Sequence, residues 1–247
     1  MSLKTYKMSV NGIPIEAVYS EETVANVFIP LIENFNKLLR EKGKRVLIYL
    51  AAAPGVGKTT LSLFLEGLAK ERNIPMQSVG IDGFHHHQEY LLSHTGFVYG
   101  KETQLVKVKG APETYDLEKL RRKILELGEK DSVLWPIYDR QNLHDVVEDS
   151  LPVTEKIVLL EGNWLLLKDE NWRDLKDLCD YSIYIGAEER FVKDRLITRK
   201  ILGGSTPEAA AQFYENADGK NVRRVLQNSM PADLTLMLQE NGDYIKI

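Results

Sequence analysis

The stretch that most constrains this chain runs from Val46 to Leu61, VLIYLAAAPGVGKTTL. An apolar run with the β-branched and aromatic content of a strand stops at the small-residue turn Ala53-Pro54-Gly55-Val56-Gly57. Lys58-Thr59-Thr60 then opens a periodic helix. Strand, glycine-rich loop and helix in that order make a phosphate cradle. The glycines let the backbone curl so that successive N–H groups face one concavity, and the helix adds its unpaired N-terminal donors and the positive end of its dipole. Lys58 is then expected at the β- and γ-phosphates of a nucleoside triphosphate, and the Thr59 hydroxyl at Mg²⁺. The G-x-x-x-x-G-K-[ST] pattern departs at one place, where Ala52 holds the first glycine position. The bland alternative is an ordinary strand-turn-helix with a chance Gly-Lys-Thr.

A chain of 247 residues is long enough for one large α/β domain or a domain with a lid, and should bury roughly 70–75% of its unfolded surface. Lys and Arg number 32 against 36 Asp and Glu, a net charge of −4, so neither a polyanion-binding surface nor a nucleic-acid partner is expected. The one cysteine, Cys179, excludes an intrachain disulfide framework and a cysteine-rich metal site. It fits a reducing compartment, with the cytoplasm expected. The opening MSLKTYKMSVNG lacks a signal-type apolar stretch, and no run approaches the roughly 20 apolar residues of a membrane span.

The rest of the chain reads as alternating strands and helices. Residues 5–18 form an extended, peripheral segment around the turn dipeptide Asn11-Gly12. Residues 21–42 are an amphipathic helix with Ser20 as N-cap, Gly43 as stop and a kink at Pro30. The helix after the loop buries Leu61, Phe64, Leu65, Leu68 and Ala69, and ends near Asn73 and Pro75. A second strand over 77–82 delivers Asp82-Gly83-Phe84-His85 to the carboxyl edge, where open α/β sheets place their chemistry. Residues 86–112 hold no sustained period and read as an excursion over the substrate. A helix follows over 114–127, then an extended 132–138 that runs into the polar loop 139–145.

The run 156–161, KIVLLE, is apolar throughout with an acid at its end, as a parallel strand buried on both faces should be. A short helix at 172–178, a strand at 181–185 and a helix at 188–202 come next. Gly203-Gly204 breaks that helix, and Ser205 with Glu208 reads as a capping box with Pro207 in the first turn. The end closes as a hairpin through Asn241-Gly242.

Six stretches, AAAPGVGKTTL, IDGFH, KGAPETYD, PIYDR with HD after it, LLEGNWLLL, and RLITRK with GG after it, together resemble the P-loop kinases that include phosphoribulokinase, uridine kinase and bacterial type I pantothenate kinase. Within that group the likeness is closest to bacterial sugar- or nucleoside-kinase-like proteins labelled fructose-transport kinases. The stretches span residues 51–204, and KGAPETYD and EGNWLLL are the discriminating ones. Ala52, Trp164 in place of an expected tyrosine and the extra His86-His87 depart from the pattern, and bear on substrate more than on reaction class.

The resemblance implies a three-layer α/β fold with a mainly parallel sheet and helices on both faces. It makes residues 1–247 a single kinase domain, with an N-terminal extension and helix over 1–43, a substrate cap over 84–112 and an arginine lid over 188–205. It implies Mg-ATP, a small-molecule acceptor and phosphoryl transfer to an alcohol group, with a homodimer left open. Asp82 is then the general base or hydroxyl-orienting acceptor; its alternative is a turn aspartate before Gly83. Glu161 resembles the acid that holds Mg²⁺ through water, with a helix-cap role as its alternative.

Arg195 and Arg199, four apart and so on one helical face, suit a lid closing over the γ-phosphate; a solvated basic face paired with acids such as Asp194 is the alternative. Tyr138, Arg140 and His144 contact substrate by likeness alone. Of His85, His86 and His87, consecutive extended residues point to alternate sides, which argues against a metal site and leaves His85 as a substrate contact. Trp135, Trp164 and Trp172 read as packing.

Two other classes compete with a kinase. A nucleotide switch lacks support, since no N-K-x-D signature stands on the later strands. A catalytically silent binding protein is opposed by intact Lys58, Thr59, Asp82 and Glu161. A pocket of Asp82, His85, Tyr138, Arg140 and His144 would be polar and locally cationic, which favours a sugar or polyol-like acid over a nucleoside or pantothenate.

Overall fold

The computed structural model describes residues 3–10, 13–139 and 143–247, so the Asn11-Gly12 turn and Arg140 lie outside the described residues. A six-stranded sheet organises the chain. Its core is β3 (Val46–Ala52) and β9 (Ile157–Gly162), two apolar strands buried along their whole length. Such strands need cover on both faces and parallel neighbours. β3 pairs in parallel with β9 and with β10 (Tyr181–Gly186), and β9 also pairs in parallel with β4 (Met76–Gly80). The order is completed by β11 (Leu234–Leu238), parallel to β10, and by β12 (Tyr244–Lys246), antiparallel to β11. Across the sheet the order is β12-β11-β10-β3-β9-β4.

The N-terminal hairpin of β1 (Leu3–Val10) and β2 (Ile13–Ser20) is not peripheral. Tyr19 is buried and lies 5.2 Å from Phe28 and 4.8 Å from Phe64, ring centroid to centroid, while Tyr6 lies 4.7 Å from Phe64. Phe64 belongs to α3 (Lys58–Glu71), the helix after the phosphate loop. The period-2 spacing of Ala17 and Tyr19 therefore turns one face of the hairpin onto that helix.

The next helix starts and stops as the caps dictate. Ser20 Oγ accepts from Thr23 N–H at 3.0 Å, and Gly43 closes it at φ 66°. Between α1 (Glu21–Thr23) and α2 (Ile29–Lys42) lies a π turn, Val24–Phe28, so the expected kink takes that form. Pro30 has no N–H to give and its ring crowds the preceding turn; a wider turn just before it removes both conflicts.

Over 86–112 the chain makes α4 (Gln88–Ser93) and the hairpin of β5 (Thr95–Val98) and β6 (Lys101–Gln104), around a small core of Leu91, Val98, Leu105, Val108 and Ala111. α5 (Leu117–Glu129) starts later than its periodicity suggests, because Asp116 caps it by accepting from Lys119 N–H at 2.9 Å. β7 (Val133–Asp139) pairs with β8 (Asp145–Val153), a strand not anticipated from its acidic, proline-containing sequence. Pro152 is tolerated there because the two-stranded ribbon leaves it at an edge. The segment Arg173–Leu178 is a 3-10 helix.

After α6 (Glu189–Leu202), the N-cap of α7 (Pro207–Phe213) is Thr206 rather than Ser205: Thr206 Oγ1 accepts from Ala209 N–H at 3.2 Å. Proline suits the first helical position, which puts the cap on the residue directly before it. A π turn, Tyr214–Asp218, leads into α8 (Gly219–Asn228). Gly242 turns the terminal hairpin at φ 90°. No helix among the described residues is long and apolar enough to cross a membrane.

Candidate active site

The carboxyl ends of β3, β9 and β4 meet at one edge. The loop after β3 takes left-handed conformations at Gly55 (φ 82°) and Gly57 (φ 96°), with Ala53 and Val56 buried and Pro54 half-buried. Gly55 is also required by contact, since a Cβ there would stand 2.9 Å from Leu196 Cγ of α6. Lys58, Thr59 and Thr60 form the first turn of α3. Thr59 Oγ1 donates to Glu161 Oε1 at 2.7 Å, and Lys58 Nζ lies 3.9 Å from Glu161 Oε2, both charged side chains being largely buried. Strand register puts Glu161 level with Leu50 on one side and Gly80 on the other. A Cβ on Gly80 would come within 3.1 Å of the carboxylate, so glycine keeps that space open.

Among the described residues no three His, Cys, Asp or Glu side chains gather into a metal cage. The Thr59 hydroxyl and Glu161 carboxylate are nonetheless two hard oxygen donors at hydrogen-bond distance. Mg²⁺ is ordinarily held by one or two carboxylates together with substrate phosphates, so this pair fits it.

Asp82 lies past the end of β4, within a 3-10 turn, Ile81–Phe84, rather than on the strand itself. The turn is clamped from two sides. Trp135 Nε1 donates to the Gly80 carbonyl at 2.8 Å, and the Pro136 carbonyl comes within 2.1 Å of where a Gly83 Cβ would stand, so only glycine fits. On the other side Asp116 N–H donates to the Phe84 carbonyl at 2.8 Å and His86 N–H to the Thr114 carbonyl at 2.9 Å, stitching IDGFH to KGAPETYD. That pairing brings in Tyr115, whose O–H donates to Asp82 Oδ1 at 3.2 Å.

His85 packs its ring 3.8 Å from Tyr115 and 5.3 Å from Tyr138, centroid to centroid. Its Nδ1 lies 2.9 Å from the Asp82 carbonyl. A carbonyl only accepts, so Nδ1 carries the proton and Nε2 is left as an acceptor. Burial, reinforced by Lys109 and His86, pushes the imidazole down to about 3, which keeps it neutral.

Lys109, also from KGAPETYD, was not singled out by sequence reasoning. Its Nζ donates to Gln88 Oε1 at 2.7 Å and to the His144 carbonyl at 2.6 Å, and lies 5.4 Å from the centroid of the Tyr138 ring. Burial lowers its pKa, with Asp145 opposing. Tyr138 O–H donates to the same His144 carbonyl at 2.6 Å, and burial pushes the phenol up to about 12. His144 thus enters the cluster through its backbone, held at φ 48°, while its side chain is exposed. The available signal for Lys109 and Tyr115 was their place in a discriminating motif. Trp164, buried, holds the same motif by donating Nε1–H to the Gly110 carbonyl at 3.0 Å.

The two arginines of α6 part company. Arg195 is half-buried, its Nη2 3.5 Å from where a Cβ on Gly242 would stand, and its charge acts on Tyr19 and Tyr244. Arg199, one turn on, is exposed, and its charge is felt by Asp218.

A glycine loop after a central parallel strand, a strand-borne acid beside the loop's Lys and Thr, and a second acid past the next strand define a P-loop α/β fold of the phosphotransferase kind. The profile of the phosphoribulokinase / uridine kinase family matches residues 47–217, and the chain belongs to that family, whose members are ATP-dependent kinases. An uncharacterized protein of Escherichia coli (strain K12), YggC, is 44% identical over 241 residues, covering 96% of this chain and 97% of its own. A candidate uridine kinase of Schizosaccharomyces pombe is 31% identical over 202 residues, 78% of this chain and 83% of its own. Among solved structures, a candidate fructose transport system kinase from Silicibacter sp. TM1040 superposes with a TM-score of 0.75 at 30% identity, covering 85% of this chain and 98% of its own.

Proposed function

We propose that this chain transfers the γ-phosphoryl group of Mg-ATP to an alcohol group of a small, hydroxyl-rich metabolite, a sugar or polyol-like acid. One observation carries the reading: Lys58, Thr59 and Glu161 stand together at the end of β9, and Asp82 follows the strand next to it. Backbone N–H groups of residues 53–60 bind the phosphates, and Lys58 stays with the transferring group. Thr59 and Glu161 would hold Mg²⁺, which when bound neutralises phosphate charge. Asp82, oriented by Tyr115, takes the proton as the acceptor oxygen forms its bond to phosphorus and the bond to the ADP oxygen breaks. Arg195, and Arg199 beyond it, act from the lid over 188–205.

On the acceptor side, under the cap of residues 84–112, His85 offers an accepting Nε2, Tyr138 a phenol and Lys109 an ammonium. Arg140 and the His144 side chain are proposed to join them. Acceptors matched to hydroxyl donors favour a polyol, and the ammonium suits a carboxylate or phosphate on it. Nucleoside and pantothenate acceptors are the alternatives, the first supported by the likeness to a candidate uridine kinase. We place the protein in the cytoplasm, as a monomer or homodimer.

The test is ATP-dependent product formation across ketoses, sugar acids, sugar phosphates, pantothenate and nucleosides, with Lys109→Ala alongside. The reading expects a sugar-type acceptor to be phosphorylated, and Lys109→Ala to raise KM for an anionic one. Selective phosphorylation of uridine or cytidine would replace the acceptor class. ADP release that no alcohol stimulates would favour a nucleotide switch or a silent binding protein.

A further inference from the structure

The last strand of the chain reaches the phosphate loop. Tyr244, buried at the start of β12, donates its O–H to the Val56 carbonyl at 3.0 Å. Val56 is itself buried and sits between the two left-handed glycines, Gly55 and Gly57. In a trans peptide the C=O and the following N–H point to opposite sides. A hydrogen bond that holds the Val56 carbonyl toward Tyr244 therefore turns the Gly57 N–H the other way, away from the tyrosine. The fit is close, since a Cβ on Gly57 would stand 3.1 Å from the Tyr244 hydroxyl.

The phenol is in turn fixed by both ends of the chain. Its neighbour Asp243, buried, accepts from Ser20 N–H at 3.1 Å and from Thr23 Oγ1 at 3.0 Å, and Thr23 Oγ1 also lies 3.2 Å from the Tyr244 carbonyl. The Tyr244 ring packs 5.9 Å from Tyr19 and 6.3 Å from Phe28. The N-terminal hairpin, the helix start after it and the C-terminal strand thus converge behind one carbonyl of the loop. A satisfied buried network of this kind is rigid, because any loosened member leaves a polar group unpaired.

We propose that Tyr244 is a positioning residue for the nucleotide phosphates, aiming the Gly57 N–H through the Val56 carbonyl while Asp243, Ser20 and Thr23 hold the tyrosine in place. The proposal rests on reading the loop as the nucleotide-phosphate site. Its test uses the full chain and Mg-ADP as probe. Tyr244→Phe keeps the ring and removes only the hydroxyl. It should weaken Mg-ADP binding about tenfold by titration calorimetry, the size of one buried hydrogen bond, and speed amide hydrogen exchange across residues 53–58. Thr23→Val, which loosens the strut without touching the loop, should weaken binding roughly two- to threefold, a fraction of one hydrogen bond.

A merely structural role would lower Tm and leave both readouts alone. Wild-type Mg-ADP affinity and unchanged loop exchange in Tyr244→Phe overturn the proposal; should that variant fail to fold, unchanged affinity in Thr23→Val does so. Failure of the wild-type chain itself to bind Mg-ADP removes the reading of the loop and this proposal with it.

Discussion

The two ends of the central strand use positive charge in opposite ways. At the amino end of β3, Arg45 is buried and donates to the carbonyls of Glu155, Leu127, Asp131 and Thr154 at 2.9, 2.9, 2.6 and 3.2 Å, and to that of Lys130. It thereby satisfies carbonyls at the C-terminus of α5 that the helix itself leaves open, where the dipole also favours a cation. At the carboxyl end, Lys58 stands 3.9 Å from Glu161, beside a loop that turns through left-handed backbone at Gly55 and Gly57. One cation holds elements together. The other opens the helix that follows the glycine loop and faces the acid at the end of β9.

Asp82→Asn should give the largest effect on this contrast, lowering kcat by roughly 10²–10⁴-fold with Mg-ATP affinity intact. Unchanged kcat with the true acceptor would return Asp82 to a turn role. Lys58→Ala should cost roughly 10²–10³-fold in kcat/KM and leave the Tm of the ligand-free protein near wild type; near wild-type turnover at saturating Mg-ATP would break the assignment of the loop.

Between the arginines, Arg195→Ala should slow phosphoryl transfer more than Arg199→Ala, by up to roughly 10³-fold if it acts as an arginine finger. Losses confined to ATP affinity would make both arginines binders only. Arg45→Ala should do the reverse of the loop variants. It leaves buried carbonyls unpaired and should cost about 2–4 kcal/mol in denaturant unfolding, while kcat of the folded protein holds. A kinetic defect without a stability loss would erase the contrast between the two edges.

The smallest effect concerns pH. His85 is pushed down to about 3 from an ordinary 6.5, by burial first and then by Lys109 and His86, with Asp145 opposing. Between those values the unfolded chain binds a proton that the folded chain refuses, so the group leaves stability untouched above pH 6.5 and lowers it as the pH falls toward 3. Between pH 7 and pH 5 the wild type should lose about 1–2 kcal/mol more than His85→Gln, measured by urea unfolding. Parallel losses in the two proteins would mean that the imidazole titrates normally.

Much of this contrast could not be read in advance. Lys58 is marked locally by the glycine turn that precedes it, whereas nothing beside Arg45 marks its role, which lies in the distant carbonyls of α5 and of the β8–β9 connection that reach it. Asp82 was legible as an acid near a strand end, but the 3-10 turn that carries it is set by Trp135 and Pro136, which lie 53 and 54 residues further along the chain. Lys109 and Tyr115 escaped because their motif has no spacing that demands a site; they matter only once IDGFH pairs with it. β8 escaped because an isolated ribbon needs no apolar alternation on both faces.

What the sequence by itself determined is what depends on near neighbours. The phosphate loop follows from glycines that alone adopt positive φ freely and from a helix that begins directly after them. The Ser20 and Gly43 caps and the Gly242 hairpin turn are equally local. Only the tertiary structure decided which groups share the site. Parallel strands must be joined by long crossovers, so strands adjacent in space are distant in sequence: Glu161 reaches Thr59 across 102 residues, and Tyr244 reaches Val56 across 188. The sheet order, and with it the acid beside the loop and the tyrosine behind it, is chosen by burial of both faces of β3 and β9. No short window of residues contains that choice.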